Sequence, residues 1–303
     1  MKSFKGRTAV ITGAASGFGL ETSRIAARQG MNVVMADVQQ DALDAAAAEI
    51  AGLGAAVLPA RVDVSRAGEV DALAAATKLR FGAPHFVFNN AGVAAGGLVW
   101  ESSLKDWQWV LGVNLMGVIH GVRAFTPMML EAARSDPAYE GHIVNTASMA
   151  GVVNMPNSGV YNVSKHGVVA LTETLYQDLR LVTDQIGASV LCPFYVATGI
   201  NRSDRNRSAA LSDAAARPTQ SQLIGRAMSD RAIGKGKVSA AMVAQFVFDA
   251  MRENRFYIYS HPNALASVQS RMQDLVQARN PGDPFAARPH IGAELRAALR
   301  TLE

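Results

Sequence analysis

Between Gly159 and Gly167 the chain reads GVYNVSKHG, which sets Tyr161 four residues ahead of Lys165. On a helix, residues four apart share a face. An ammonium so placed favours a phenolate over a phenol, and a tyrosine with an ordinary pKa of about 10 needs that help to act as a base near neutrality. Two readings are open at this point: a tyrosine whose proton takes part in chemistry, or the polar start of an ordinary amphipathic helix.

A second candidate lies near the N-terminus. In TGAASGFG, Thr12–Gly19, the residues Gly13, Gly17 and Gly19 let backbone N–H groups approach a pyrophosphate, and the start of the following helix favours its charge. A glycine turn with no ligand fits the same letters, and the spacing differs from the G-x-G-x-x-G of the commonest dinucleotide fingerprint. Asp37 closes the second strand-like run. There a carboxylate can accept hydrogen bonds from an adenosine ribose and repel a 2′-phosphate. None of Ala14, Ala15, Ser16, Val38 or Gln39 supplies a cation to hold such a phosphate. The expected cofactor is therefore NAD in preference to NADP. The other reading of Asp37 is a helix N-cap.

These residues need elements to place them. Apolar strand-like runs alternate with helix-like runs, the pattern of a parallel sheet covered on both faces. Strands are expected at Thr8–Thr12, Asn32–Asp37, Ala56–Val64, His85–Gly92, His142–Ser148, Ala188–Phe194 and Arg255–His261. Ser65 is placed to cap the helix after the third of them. One long helical pattern spans about Leu104–Leu130, and a second runs from the Tyr161–Lys165 segment to about Val182. The expected fold class is α/β: a single doubly wound Rossmann-type domain over residues 1–303, with about seven parallel strands and helices on both faces. One more helix and a Pro-containing tail are expected to close the chain.

With 303 residues, 49% hydrophobic and 18% charged, the chain reads as a soluble globular protein rather than a disordered one. The lone cysteine, Cys192, excludes an internal disulfide framework and a cysteine-rich zinc site. It also suits a reducing, cytoplasmic home. No stretch approaches the roughly 18 apolar residues of a membrane span. The net charge of +4 is uneven: 14 Lys and Arg face 16 Asp and Glu through Thr198, and 15 face 9 from Gly199 onward. The densest basic cluster, Asn201–Ser208, lacks interleaved aromatics and reads as a solvated mobile loop rather than a nucleic-acid surface. His85, His120 and His142 lack metal-like spacing, so no metal is expected.

Taken together the motifs resemble the short-chain dehydrogenase/reductase family. The resemblance rests on TGAASGFG (12–19), Asp63-Val64, NNAG (Asn89–Gly92), Asn114, Ser148, YNVSK (161–165) and PFYVAT (Pro193–Thr198), in the family's order and at its separations. It covers about Phe4–Thr198 strongly and Ala240–His261 loosely. It implies that Asn114, Ser148, Tyr161 and Lys165 form a catalytic tetrad. Tyr161 would move the proton, Lys165 would lower its pKa and hold the nicotinamide ribose, Ser148 would orient the substrate oxygen, and Asn114 would support a water-borne proton relay. Cofactor contacts are implied for Gly13, Ser16, Gly17, Phe18 and Gly19 around the pyrophosphate, Asp37 and Val38 at the ribose, and Asp63 and Val64 at adenine. Asn90, Ala91 and Gly92 would support it beside the fourth strand. Pro193, Val196 and Thr198 would sit near the nicotinamide with Tyr161 and Lys165.

The implied activity is hydride transfer between NAD and a secondary alcohol or ketone. An NADP-linked carbonyl reductase and a catalytically silent dinucleotide-binding regulator are the alternatives. Two positions depart from the family pattern. Phe18 stands where a smaller aliphatic is common, and Phe194 follows Pro193 where the family usually has Gly. Phe194 is either an aromatic wall of the substrate site, along with Ser148 and Tyr161, or a side chain packed inward at the strand's end. With Met149, Val153 and Met155 it suggests a substrate with a hydrophobic or aromatic substituent. Residues 199–237 fall where the family places a substrate-covering lid, and 262–303 form a C-terminal extension. A homodimer or homotetramer paired through the two long helices is implied, with a small-molecule alcohol or ketone as the only other partner.

Overall fold

The computed structural model describes residues 1–212, 217–234 and 236–300. Seven strands, β1 (Thr8–Thr12), β2 (Asn32–Asp37), β3 (Val57–Arg61), β4 (Phe86–Asn89), β5 (Gly141–Thr146), β6 (Ile186–Cys192) and β7 (Tyr257–Tyr259), pair in parallel. Their order across the sheet is β3-β2-β1-β4-β5-β6-β7. The order reverses between β1 and β4, and this switch opens a crevice at the strands' carboxyl ends.

The strand runs are apolar throughout because both faces are covered. On one face Ile11, Met35, Phe86 and Phe88 meet the layer of α1 (Gly17–Arg28), α2 (Gln40–Gly52) and α8 (Ala240–Glu253), where Leu43, Ile50, Val247 and Phe248 are buried. On the other, Val10, Val34, Val87 and Ile143 meet α3 (Ala67–Phe81), α5 (Gly117–Ser135) and α6 (Gly159–Val182) through Leu73, Phe125, Met129 and Leu179. The period of two along each strand thus becomes two apolar layers. This is the single doubly wound domain expected from the alternation of runs.

Five local expectations need correction. The long pattern from Leu104 is not one helix: α4 (Leu104–Leu111) gives way to a π-helical turn at Gly112–Met116 before α5 begins. The wide turn carries Asn114, whose side chain bonds Val93 backbone atoms instead of facing solvent. The third strand stops at Arg61, short of Val64. Asp63 turns the chain there by accepting from the Ser65 backbone N–H and hydroxyl at 3.0 and 2.7 Å. Ser65 is consequently no cap; Arg66 holds the N-cap position of α3 without a side-chain bond. The polar stretch after Thr198 contains a 3-10 segment, Gly199–Asn206, and α7 (Gln220–Gly234). Residues 213–216 and 235 of the expected lid lie outside the described residues. The tail holds two helices, α9 (Leu265–Val276) and α10 (Pro289–Arg300). Proline at the first helical position suits α10, since its missing N–H has no partner to lose there.

Candidate active site

The glycine loop, the ends of β2 and β4, and the start of α6 converge on one cavity of about 300 Å³ at the switch point. Two glycines are required by close approach. A Cβ on Gly19 would sit 2.0 Å from the Gly13 carbonyl oxygen, and one on Gly13 would sit 2.9 Å from Ala91 Cα. Ser16, the N-cap of α1, makes no side-chain capping bond, so the helix's first N–H groups keep their donors. Asp37 is half-buried on the cavity wall. Its Oδ2 accepts from the Ala15 N–H and its Oδ1 from the Gln39 N–H, both at 3.1 Å. The helix after β2 takes Gln39, not Asp37, at its N-cap. Backbone donors, an uncapped helix start and a carboxylate with spare lone pairs fit a dinucleotide's pyrophosphate and ribose.

Thr12 knits this floor together. Its hydroxyl oxygen accepts from the N–H groups of Asn90 and Ala91 at 2.9 and 3.1 Å, while Asn90 Nδ2 donates to the Thr12 carbonyl at 3.0 Å. Of the residues expected at a cofactor, Gly13, Ser16, Gly17, Phe18, Asp37, Val38, Asp63, Val64, Asn90, Ala91, Gly92, Tyr161, Lys165, Pro193 and Thr198 line the cavity. Gly19 lies under Gly13, and the Val196 side chain is buried in the apolar layer of α1 and α8.

Tyr161 and Lys165 reach the cavity one helical turn apart. Lys165 is 2% exposed, and its Nζ donates to the Thr146 carbonyl at 2.8 Å. Burial pulls its pKa down to about 8. The ammonium lies 5.7 Å from the centre of the Tyr161 ring. Burial pushes the Tyr161 phenol up to about 12, against the pull of the Ser148 hydroxyl, and Tyr195 adds to the rise. The expectation that Lys165 depresses this phenol is not met in the present arrangement. Loss of solvation dominates, and the ammonium is engaged by a carbonyl. Ser148 Oγ accepts from the Ala150 N–H at 3.1 Å and donates to the Pro193 carbonyl over a long 3.3 Å.

Asn114 is fully buried. Its Oδ1 accepts from the Val93 N–H at 2.8 Å, and its Nδ2 donates to the Val93 carbonyl and Ser164 Oγ at 2.9 and 3.1 Å. Both Nδ2 hydrogens are committed, so the side chain has none to give a relay water. It acts as a tie between the π-helical turn and the loop after β4 at Val93.

Phe194 does not line the cavity. The residue is 36% exposed, and its ring packs edge-on against Tyr195 and His261, at 4.7 and 5.8 Å. It is neither an inward-packed core residue nor a wall of this cavity. Met149 is buried in the cluster of Val152, Val168 and Val190. Cys192 is buried with its thiol pushed up to about 12 by burial, which disfavours a nucleophilic thiolate.

The residues that sequence reasoning missed come from afar. Gly199, Ile200, Ser203, Arg205 and Asn206 line the same cavity opposite the glycine loop. Ser203, 3% exposed, joins them to Ala94: its Oγ accepts from the Ala94 N–H at 3.0 Å and donates to the Ala94 carbonyl at 3.3 Å. At the other lip Gln39 Nε2 donates to Asn206 Oδ1 at 2.6 Å. Farther along, Arg207 pairs with Asp106 at 2.7 Å and lies over the Trp109 ring. The basic cluster is thus partly tied down rather than a free solvated loop. Gln39 and Asn206 are 167 positions apart, and no short-range signal links them.

A parallel sheet with a glycine loop at its switch point and an aspartate at the end of the next strand defines a dinucleotide-type α/β fold. More narrowly, the chain belongs to the short chain dehydrogenase family, whose pattern residues 7–209 match. It is an oxidoreductase of that family. It is 49% identical to a short chain dehydrogenase/reductase from Burkholderia phymatum whose crystal structure was determined in complex with NAD. That structure superposes with a TM-score of 0.90 over 94% of this chain and 100% of the other. Among curated relatives, the CLA biosynthesis dehydrogenase/reductase of Lactiplantibacillus plantarum is 33% identical over 91% of this chain and 95% of its own length. The 1-deoxy-11-beta-hydroxypentalenate dehydrogenase of Streptomyces exfoliatus is 35% identical, over 89% and 88% respectively. No helix among the described residues is long and apolar enough to cross a membrane.

Proposed function

We propose that this chain is an NAD-dependent alcohol dehydrogenase or ketone reductase acting on a secondary alcohol or ketone with a hydrophobic or aromatic substituent. The observation that carries the reading is that Tyr161 and Lys165 line the same cavity as the glycine loop and Asp37. NAD, when bound, supplies the hydride acceptor, and in the reverse direction its reduced form supplies the donor. Tyr161 takes the hydroxyl proton during oxidation and returns it during reduction. A protonated Lys165, 5.7 Å from the centre of the ring, favours the phenolate by Coulomb attraction once its ammonium turns from the Thr146 carbonyl toward the phenol oxygen.

Ser148, whose hydroxyl donates to the Pro193 carbonyl over a long 3.3 Å and pulls on the Tyr161 phenol, turns that hydroxyl to the substrate oxygen. Asn114 is a positioning residue that holds the segment beside Lys165. The substrate's apolar part rests against Val93 and Val113, which line the cavity. A relative named as the dehydrogenase of a hydroxylated compound agrees with an alcohol substrate, and the NAD-bound neighbour agrees with the cofactor. Residues 199–237 serve as the substrate-covering lid. The protein works in the cytoplasm as a homodimer or homotetramer paired through α4, α5 and α6; Leu104 of α4 and Val163 and Leu181 of α6 are exposed, as is Met116 in the π-helical turn between α4 and α5. A monomer in analytical ultracentrifugation would end that last reading.

The test is Tyr161→Phe. Turnover with NAD should fall by about a thousandfold, with NADH binding, read by fluorescence, largely retained. Unchanged turnover would remove Tyr161 from the chemistry. Turnover with NADPH exceeding that with NADH would overturn the preference drawn from Asp37.

A further inference from the structure

The basic cluster at 201–208 distributes its arginines unequally. Arg207 is neutralised by Asp106. Arg205, two residues earlier, has no carboxylate within ion-pair distance among the described residues. Its guanidinium is held by three neutral oxygens instead. Nη1 donates to the carbonyls of Gly199 and Arg202 at 3.0 and 2.7 Å, and Nε donates to Gln39 Oε1 at 3.4 Å. Carbonyls orient a guanidinium without cancelling its charge, so the cation stays available to an anion.

Its position gives that charge a use. Nη2 lies against Gly199, where a Cβ would come within 3.1 Å of it. The preceding residue, Thr198, covers Gly17 of the glycine loop, with its Cβ 3.3 Å from where a Gly17 Cβ would lie. Arg205 therefore bridges from the part of the cavity over the glycine loop to Gln39, two residues beyond Asp37. The other charged side chains on this wall are Asp37, Asp63 and the buried Lys165, whose ammonium is engaged by Thr146. The glycine loop itself contributes only N–H dipoles. A dinucleotide laid between the loop and Asp37 brings a doubly charged pyrophosphate under the one guanidinium that lines the cavity among the described residues.

We propose that Arg205 is a cofactor-binding residue that recognises the phosphates of the dinucleotide from above, and that the Gln39–Asn206 bond holds it in place. This rests on the NAD reading given above. The segment 199–206 is fastened at both lips, by Ser203 to Ala94 and by Asn206 to Gln39. A bound dinucleotide is then enclosed by a strap carrying its counter-charge. The Ser203 fastening is buried and doubly bonded. The Gln39 side is more exposed, so it is the lip that parts when the cofactor exchanges.

Equilibrium binding of NADH, NADPH, ADP-ribose and adenosine, read by fluorescence and calorimetry, tests this on the full chain. Arg205→Gln should weaken NADH and ADP-ribose about tenfold and leave adenosine unchanged. The weakening of NADH by added sodium chloride should be shallower in the variant, because one screened contact is gone. Arg205→Lys should restore part of the affinity and most of the salt dependence. Equal NADH affinity in wild type and Arg205→Gln overturns the assignment while leaving the NAD reading intact. A loss confined to NADPH overturns it as well, since the guanidinium would then face the 2′ position. A wild type that binds no NADH refutes both. Arg205 is exposed, and an unchanged thermal transition in the variants separates lost binding from lost folding.

Discussion

The floor of the cavity is laid by the carboxyl ends of β1, β2, β4 and β5, whereas its roof, residues 199–206 with α7 beyond, is fastened by scattered side-chain hydrogen bonds. The floor's polar atoms are bonded mostly to backbone: Thr12 to Asn90 and Ala91, Asp37 to Ala15, Lys165 to Thr146. Behind them stand two apolar layers that include Phe86, Phe88 and Phe125, all fully buried. The roof leans on Ser203, Asn206, Arg207 and Ser221. Each such bond contributes about 1 kcal/mol net. Local opening is drawn from regions with few buried apolar contacts. One cavity is thus bounded by a rigid half that places reacting groups and a separable half that can admit and release a ligand.

The comparison can be broken at the floor first. Phe86 is fully buried, with its ring 5.9 Å from Phe88 and 5.8 Å from Phe248. Phe86→Ala should cost about 3–5 kcal/mol of global stability in denaturant unfolding. A loss no larger than that of a roof variant would show that the floor is not the stable half.

A smaller effect comes from Lys165. Its folded pKa of about 8 lies below the ordinary lysine value, so between those pH values the folded state holds fewer protons than the unfolded chain. Stability contributed through this group therefore rises with pH above 8, and the cost of burying the ammonium is felt in full below it. Between pH 8 and about 10, wild type should gain about 2 kcal/mol relative to Lys165→Met. A difference that stays flat across that window would mean the ammonium is better solvated than its burial implies.

The smallest effect sharpens the roof. Ser221 is fully buried at the start of α7. Its Oγ donates to Glu101 Oε2 at 2.5 Å and accepts from the Leu98 N–H at 3.0 Å, while its carbonyl accepts from Asn157 Nδ2 at 2.8 Å. Ser221→Ala leaves the Leu98 N–H and the Glu101 carboxylate short of a partner, at about 1–2 kcal/mol. Amide exchange should speed up in α7 and hardly change in β1 and β4. Equal acceleration in both would dissolve the distinction between the halves.

Legibility followed the same division. The sheet could be read because strands buried on both faces must be apolar along their length, and glycines mark where β1 hands over to α1. Gly13, Gly17, Asp37, Tyr161 and Lys165 lie in or beside such elements, so their shared location follows from chain order and the switch-point rule. Three features escaped. The π-helical turn at Asn114 adds one residue to a helix, and no residue type in Gly112–Met116 marks where it falls. Phe194, whose type suggested a substrate wall, lies outside the cavity against His261. The roof's contacts join residues more than a hundred positions apart, such as Ala94 with Ser203 and Lys105 with the Ser212 carbonyl, and no local pattern encodes such a pairing.

The amino-acid order alone determined the α/β class, the glycine loop and the sharing of one helix face by Tyr161 and Lys165, because those depend on backbone periodicity and short-range sterics. Tertiary structure decided the protonation balance of that pair. Burial raises the phenol and lowers the ammonium, and burial is a property of everything packed around them. It also decided the fate of two arginines two residues apart. Arg207 meets Asp106 and is neutralised, whereas Arg205 meets only carbonyls and keeps its charge over the cavity, since the partner each one finds is set by the fold and not by its neighbours in the chain.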